Sequence, residues 1–177
     1  MTTLKKNDIY KSIEYAKENN LINELNKIYE SVPSGDCTGC GNCCMESVGI
    51  NLTEFLNIYD YLSKNDELKK LCMSKVIDYY FTEYIKKSPC PFKDENNRCL
   101  IYPVRPLNCR IYGHWTKEDY NKNLDSVSDR NKEYSNLIKE EYGFDISEDT
   151  YLAIYDDLEG TNIQEKISSG IVKSNFE

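Results

Sequence analysis

Seven of the eight cysteines in this 177-residue chain fall into two clusters whose spacing is typical of metal ligands. They are Cys37, Cys40, Cys43 and Cys44 in the run CTGCGNCC, and Cys90, Cys99 and Cys109 further along the chain. Successive Cys-x-x-Cys steps let several thiolates converge on one centre, because the turn closing each pair directs backbone N–H groups at the sulfurs. Gly39 and Gly41 tolerate the positive φ that such turns need. The pattern predicts a metal site, to which the second cluster contributes ligands from a distant segment.

A disulfide framework is the alternative use of eight cysteines. The first twenty residues contain no apolar stretch of signal-peptide length, and no window approaches the roughly 20 apolar residues of a spanning helix. We therefore expect a cytoplasmic protein with reduced thiols, and in that compartment clustered cysteines bind metal or perform redox chemistry more often than they form disulfides. A chain of 177 residues is also long enough to fold without covalent cross-links.

The number of thiols leaves the type of metal centre open. Cys43 and Cys44 are neighbours, and adjacent side chains on an extended backbone point in opposite directions, so both rarely reach one ion in tetrahedral geometry. Seven thiols also exceed the four that one zinc ion or one cubic iron–sulfur cluster takes. Three arrangements fit: one four-cysteine centre with extra structural thiols, two metal centres, or one centre with a redox-active remainder.

The net charge of −8 is unevenly distributed. Residues 116–159 contain thirteen acidic and five basic side chains, whereas basic residues outnumber acidic ones by two in residues 88–115. Cations therefore surround the second cysteine cluster. The chain has no basic stripe, and its acidic C-terminal third would repel phosphate, so we expect no nucleic acid as a partner. We expect no membrane partner either, because no window is apolar enough to span one.

Apolar periodicity predicts a mainly α fold: a small helical domain with irregular, cysteine-rich metal-binding loops. We expect a single domain over residues 1–177, with a metal-binding core at about 36–115 and flanking helices at 8–30 and 116–160. The predicted elements are a helix or broken pair over 8–30, a helix capped by Asn51 or Thr53, a helix from Asp66 to Lys86, a helix from Thr116 to Gly143, and a last helix that begins at Ser147 and is followed by Gly160. Residues 88–115 read as an irregular, ligand-bearing segment. The tail is ambiguous, with Ile163, Ile167 and Ile171 spaced for a short amphipathic helix.

The cysteine runs, together with the CPF, CLIY, Arg-Pro and CRIY steps, resemble the YkgJ-type cysteine-cluster family. That family is described as a zinc- or iron-chelating domain and often as containing an iron–sulfur cluster. The resemblance covers about residues 36–115 and implies that all seven clustered cysteines match the family's, with Arg105, Pro106 and Arg110 on its Arg-Pro and Cys-Arg steps. Lys93 stands where the family usually has leucine, which leaves the ligand set unchanged. A flagellin lysine methylase carries a similar cluster, so the resemblance permits a role in protein modification.

Four further residues have two interpretations each. Cys72 lies on the apolar face of a predicted helix, which favours a core residue over an eighth ligand. His114, the sole histidine, is either a hydrogen-bonded surface or packing residue, or it completes a mixed metal site or serves as a proton donor. Arg105 and Arg110 are candidates for cofactor binding, because they could offset the charge of a thiolate cluster or bind an anionic substrate; ordinary salt bridges to the acidic C-terminal third are the alternative.

The absence of several motifs argues against some classes of enzyme. The chain lacks GxGxxG and GxxxxGK[ST], so it has no standard phosphate-binding loop, and GxSxG and HExxH are absent as well. Our first hypothesis is an iron–sulfur protein that transfers electrons or assists a modifying enzyme, with a protein as partner or substrate. A zinc-stabilised interaction module is the second, and a cluster-containing enzyme that modifies proteins, such as a lysine methylase, is the third. Whether the chain is an oxidoreductase, a protein-modifying enzyme or no enzyme is left open.

Overall fold

The protein is mainly helical in a computed structural model that describes residues 6–32, 35–46, 48–82, 86, 88–112, 114, 116–143 and 145–159. The α-helices are α1 (Lys6–Glu18), α2 (Leu21–Glu30), α3 (Leu52–Leu62), α4 (Asp66–Thr82), α5 (Leu107–Ile111), α6 (Lys117–Tyr142) and α7 (Glu148–Glu159). Two 3₁₀ turns, Cys43–Met45 and Tyr102–Val104, lie in the cysteine-bearing segments. This confirms the predicted fold class.

The N-terminal helical region is a broken pair rather than one long helix. The break falls at Asn20, whose φ of 63° is left-handed and whose carbonyl accepts the Glu24 N–H at 3.0 Å. Asparagine tolerates this conformation better than most residues. The change of direction lets α1 and α2 each pack against α3.

Helix α3 is the centre of the bundle, because nine of its eleven residues are buried. It starts with a capping box in which Asn51 is the N-cap and the Glu54 side chain accepts the Asn51 N–H at 3.0 Å. Of the two predicted caps, Asn51 is therefore the one used. Around α3, apolar side chains of α1, α4, α6 and α7 form the main core.

Polar contacts fix the outer helices against this core. The Thr53 N–H donates to Ser135 Oγ at 3.2 Å, which attaches α3 to α6. Lys69 Nζ lies 2.9 Å from Asp157 Oδ2, and both side chains are largely buried, which attaches α4 to α7. Since unpaired buried charges are costly, these contacts restrict how the helices can pack.

The C-terminal helices follow their sequence signals. Thr116 accepts the Asp119 N–H at 3.1 Å as the N-cap of α6, and Gly143 ends that helix in a left-handed conformation with φ 61°. Helix α7 starts one residue after the predicted Ser147. Parts of three predictions lie outside the described residues: residues 83–85 of the predicted Asp66–Lys86 helix, residues 113 and 115 of the predicted 88–115 segment, and the tail from 160 onward.

Residues 88–112 are more ordered than predicted. Lys93 pairs with Cys99 in an antiparallel bridge, and the Leu100 N–H donates to the Phe92 carbonyl at 2.9 Å. The five-residue helix α5 follows and packs against α2 in a second, smaller core. Backbone hydrogen bonds and this packing therefore order a segment that the sequence predicted to be irregular.

Within the part of the chain that the structure describes, no helix combines the length and apolar content that crossing a membrane requires.

Candidate metal centre

One cavity of about 680 Å³ brings all seven clustered cysteines together. Its walls come from the CTGCGNCC loop, the segment from Cys90 to Cys109, and the inner faces of α3, α4 and α7. The two cysteine clusters, which are far apart in sequence, therefore line the same space.

Glycine conformations shape the first loop as predicted. Gly39 and Gly41 have φ values of 76° and 73°. The Cys44 N–H donates to the Gly41 carbonyl at 3.1 Å, which closes the turn that leads into the first 3₁₀ segment. A Cβ atom on Gly39 would lie 3.4 Å from the Arg98 side chain, so this glycine also permits close approach of the second cysteine segment.

Backbone contacts join the two cysteine segments. The Cys90 N–H donates to the Cys44 carbonyl at 2.7 Å, and the Arg98 guanidinium donates to the Cys37 carbonyl. The turn before Arg98 is closed by Asp94, whose carboxylate accepts the Arg98 N–H at 2.7 Å. These bonds hold the backbones of both clusters beside each other.

Cys109 is positioned by a buried carboxylate. Glu54, which is only 2% exposed, accepts the Leu107 N–H at 2.7 Å at the start of α5, the helix that carries Cys109. The same oxygen accepts the Tyr29 hydroxyl at 3.3 Å. Burial raises the pKa of Glu54, while the donated hydrogen bonds oppose that shift. Glu54 thus connects α2, α3 and α5 at one point.

Burial and mutual proximity raise the pKa of most of the clustered thiols. Burial is the main cause for Cys44, whose pKa rises to about 12, and for Cys99, whose pKa rises to about 11. Neighbouring thiols add to the shift, and Cys90 is a common neighbour of Cys44, Cys99 and Cys109. The thiols of the two clusters therefore influence one another's protonation, and metal binding must displace protons from them.

Cys40 is an exception among the thiols. It is exposed, and its pKa is lowered by hydrogen bonds from the Asn42 backbone and the Thr38 side chain. A lowered pKa favours the thiolate, which is the form that binds metal.

The described histidine, cysteine, aspartate and glutamate side chains include no group of three close enough to hold a metal ion in this conformation. The donor set nevertheless fits a thiophilic metal, because seven thiols line one cavity and sulfur ligands suit zinc, iron–sulfur clusters and copper(I).

A family comparison agrees with this donor set. Residues 36–128 match the model of the CxxCxxCC family, described as a "putative zinc- or iron-chelating domain". The chain belongs to this family. The match covers more than half of the chain, so metal binding through cysteines follows from both the family and the cavity. No solved structure matches the chain.

Of the two candidate arginines in this family member, Arg105 lines the cavity. Its guanidinium donates to the Gly35 carbonyl at 3.1 Å and lies over the Tyr102 ring. Burial raises the pKa of Cys99, and the charge of Arg105 opposes that rise. Arg105 therefore acts electrostatically on the thiol group.

Arg110 occupies a different position and does not line the cavity. It donates to the Arg105 carbonyl at 3.0 Å and lies over the Tyr29 ring. Arg110 thus supports the backbone of Arg105 rather than facing the thiols.

Cys72 and His114 differ from the clustered thiols in their surroundings. Cys72 is fully buried in the main core and does not line the cavity, which confirms the core interpretation. Burial raises its pKa, and proximity to Cys90 adds to the rise. His114 is exposed at the edge of the cavity, with its ring packed against Gly35.

The sequence interpretation missed Glu54 and α5. The signal for Glu54 was the Asn-x-x-Glu capping box at residues 51–54, which identifies a helix start but not a second bond to α5. The signal for α5 was Pro106 beside the apolar pair Leu107 and Ile111. Proline is common at helix starts, although five residues are too few for a clear periodic pattern.

Proposed function

We propose that the chain is an iron–sulfur protein that transfers electrons or serves as an auxiliary factor to a protein-modifying enzyme. The observation that supports it is the cavity lined by seven thiols. A structural zinc site takes four ligands and is closed. More thiols than one zinc ion needs, together with an exposed cysteine and a cation beside the cavity, suit a cluster whose charge and potential are adjusted by its surroundings.

A protein partner is part of this proposal. Tyr112 is 44% exposed and lines the cavity, and Met45, 42% exposed, follows the cysteine pair Cys43 and Cys44. Exposed apolar and aromatic side chains beside a metal centre suit a transient contact through which electrons pass. Chemically cross-linking the protein in cell extract through a photoreactive residue at Tyr112 would test this contact. A matched probe at Leu137, which is exposed and does not line the cavity, is the control.

Zinc is the second candidate, since the same thiols suit it. The Cys90 N–H already bonds the Cys44 carbonyl, and a zinc ion bound by thiols of both loops would add a second link between them. The two candidates differ in redox chemistry, since zinc has no accessible one-electron couple.

Substitutions at Arg105 distinguish the iron–sulfur candidate from the zinc candidate. In an iron–sulfur protein, Arg105→Gln should lower the reduction potential by about 60 mV, because it removes a positive charge that stabilises the reduced, more negative cluster; about 60 mV is a tenfold change for one electron. Arg105→Lys retains the charge and should stay near wild type. Arg110→Gln should have a smaller effect, because its guanidinium lies over Tyr29. Protein-film voltammetry on metal-replete variants measures all three, and absence of any reversible wave would favour zinc.

A further inference from the structure

We propose that the part of the cavity walled by the helical bundle binds a small, uncharged aromatic molecule beside the metal centre. This goes beyond the proposed function and holds for either metal. The cavity volume of about 680 Å³ falls within the roughly 300–1,000 Å³ range of small-molecule sites. A single zinc ion, whose sulfur ligands lie about 2.3 Å away, fills only a small part of that space. An iron–sulfur cluster would be held among the cysteines, which line the loop side of the cavity and not the bundle side.

The bundle side of the cavity is apolar and rich in aromatic rings. It is lined by Phe55 and Ile58 from α3, Val76 and Tyr80 from α4, and Tyr151 from α7. Tyr80 and Tyr151 stack with ring centroids 4.0 Å apart. Val76 and Tyr80 are only partly buried, so apolar surface remains uncovered where they line the cavity. A flat aromatic molecule would cover this surface and stack against the rings.

The charges around the cavity disfavour an anionic ligand. Metal-bound cysteines are thiolates, and Asp36 and Glu46 also line the cavity. Arg105 contributes one positive charge against them. An anionic ligand would be buried close to this negative wall, which costs free energy unless a cation pairs with it.

Two matched probes test the ligand class by equilibrium dialysis against metal-replete protein. The uncharged probe is N-phenyl-1-naphthylamine, and the anionic probe is its 8-sulfonate. We expect the uncharged probe to bind at one site per chain and the sulfonate to bind at least about tenfold more weakly, because the sulfonate group brings a negative charge into the cavity.

Cavity-filling variants test the location. Val76→Trp and Ile50→Trp place a large ring in the cavity from two different walls, and each should weaken binding of the uncharged probe at least about tenfold. Leu71→Trp is the control, because Leu71 is on α4 as well but is 49% exposed and does not line the cavity. It should leave binding unchanged. Metal content, measured in each variant, reports whether the fold and the metal site are intact.

Any of four results would overturn the proposal. They are no binding of the uncharged probe to metal-replete protein, equal or tighter binding of the sulfonate, equal effects of Val76→Trp and Leu71→Trp, and binding that appears only after metal removal. In the last case the space would be the metal site alone. Since metal and sulfide are analysed independently, each of these results leaves the proposed iron–sulfur function standing.

Discussion

Serine in place of Cys90 or Cys109 is expected to remove most of the bound metal and to lower thermal stability. Cys90 acts electrostatically on Cys44, Cys99 and Cys109, and Cys109 is carried by a separate element, α5. Losing a ligand should reduce metal affinity by more than the roughly 10–100-fold that follows loss of an outer-shell partner. Because metal binding contributes to folding, the melting temperature should fall with it. Elemental analysis and thermal denaturation measure both effects, and Cys37→Ser and Cys40→Ser should behave similarly.

Cys72→Ala is the matched control for these variants. Cys72 is a cysteine like Cys90 and Cys109, but it lies in the main core. Its replacement should therefore lower the free energy of unfolding while metal per folded chain stays at the wild-type level. Metal loss equal to that of Cys90→Ser would show that Cys72 is a ligand. We also expect Cys43→Ser and Cys44→Ser to differ in metal loss, since neighbouring side chains rarely reach one ion. Identical losses would point to a polynuclear centre that spans the pair.

Glu54→Ala is expected to be among the most destabilising single substitutions, at about 3–5 kcal/mol, because it leaves the buried donors of Leu107 and Tyr29 without this acceptor. Glu54→Gln should cost less, about 1–2 kcal/mol, because the amide oxygen can still accept the bonds from Leu107 and Tyr29. The remaining cost arises because the amide NH₂ group then faces the Asn51 N–H, so that two donors meet and this bond is lost. Denaturant unfolding of the metal-replete protein measures both.

Metal affinity should also fall more in Glu54→Ala than in Glu54→Gln, since Glu54 holds the start of the helix that carries Cys109. Glu14→Ala, on the exposed face of α1, is the control and should change the free energy of unfolding by no more than about 0.5 kcal/mol. If Glu54→Ala matched Glu14→Ala, the carboxylate would have no positioning role.

The sequence was sufficient to predict most of the helices and the candidate thiols because both depend on local patterns. Apolar periodicity and caps such as Asn51 and Thr116 mark helix positions, and Cys-x-x-Cys spacing marks candidate ligands. The same reasoning separated Cys72 from the clusters, because it lies on the apolar face of a helix.

The features that the sequence did not predict depend on contacts between residues far apart in the chain. The bond from Leu107 to Glu54 joins positions 53 residues apart, and no local pattern records it. The ordering of residues 92–100 comes from a bridge and turn bonds rather than from periodicity. The different positions of Arg105 and Arg110 likewise follow from how α5 packs on α2, which the sequence does not specify.

Joint analysis of iron, zinc and acid-labile sulfide in anaerobically purified protein, with its visible spectrum, tests the central proposal most directly. We expect brown protein with broad absorption in the blue region, iron and sulfide in equal amounts, and loss of both in Cys90→Ser but not in Cys72→Ala. Colourless protein that contains stoichiometric zinc and no sulfide would contradict the iron–sulfur proposal and establish the zinc alternative.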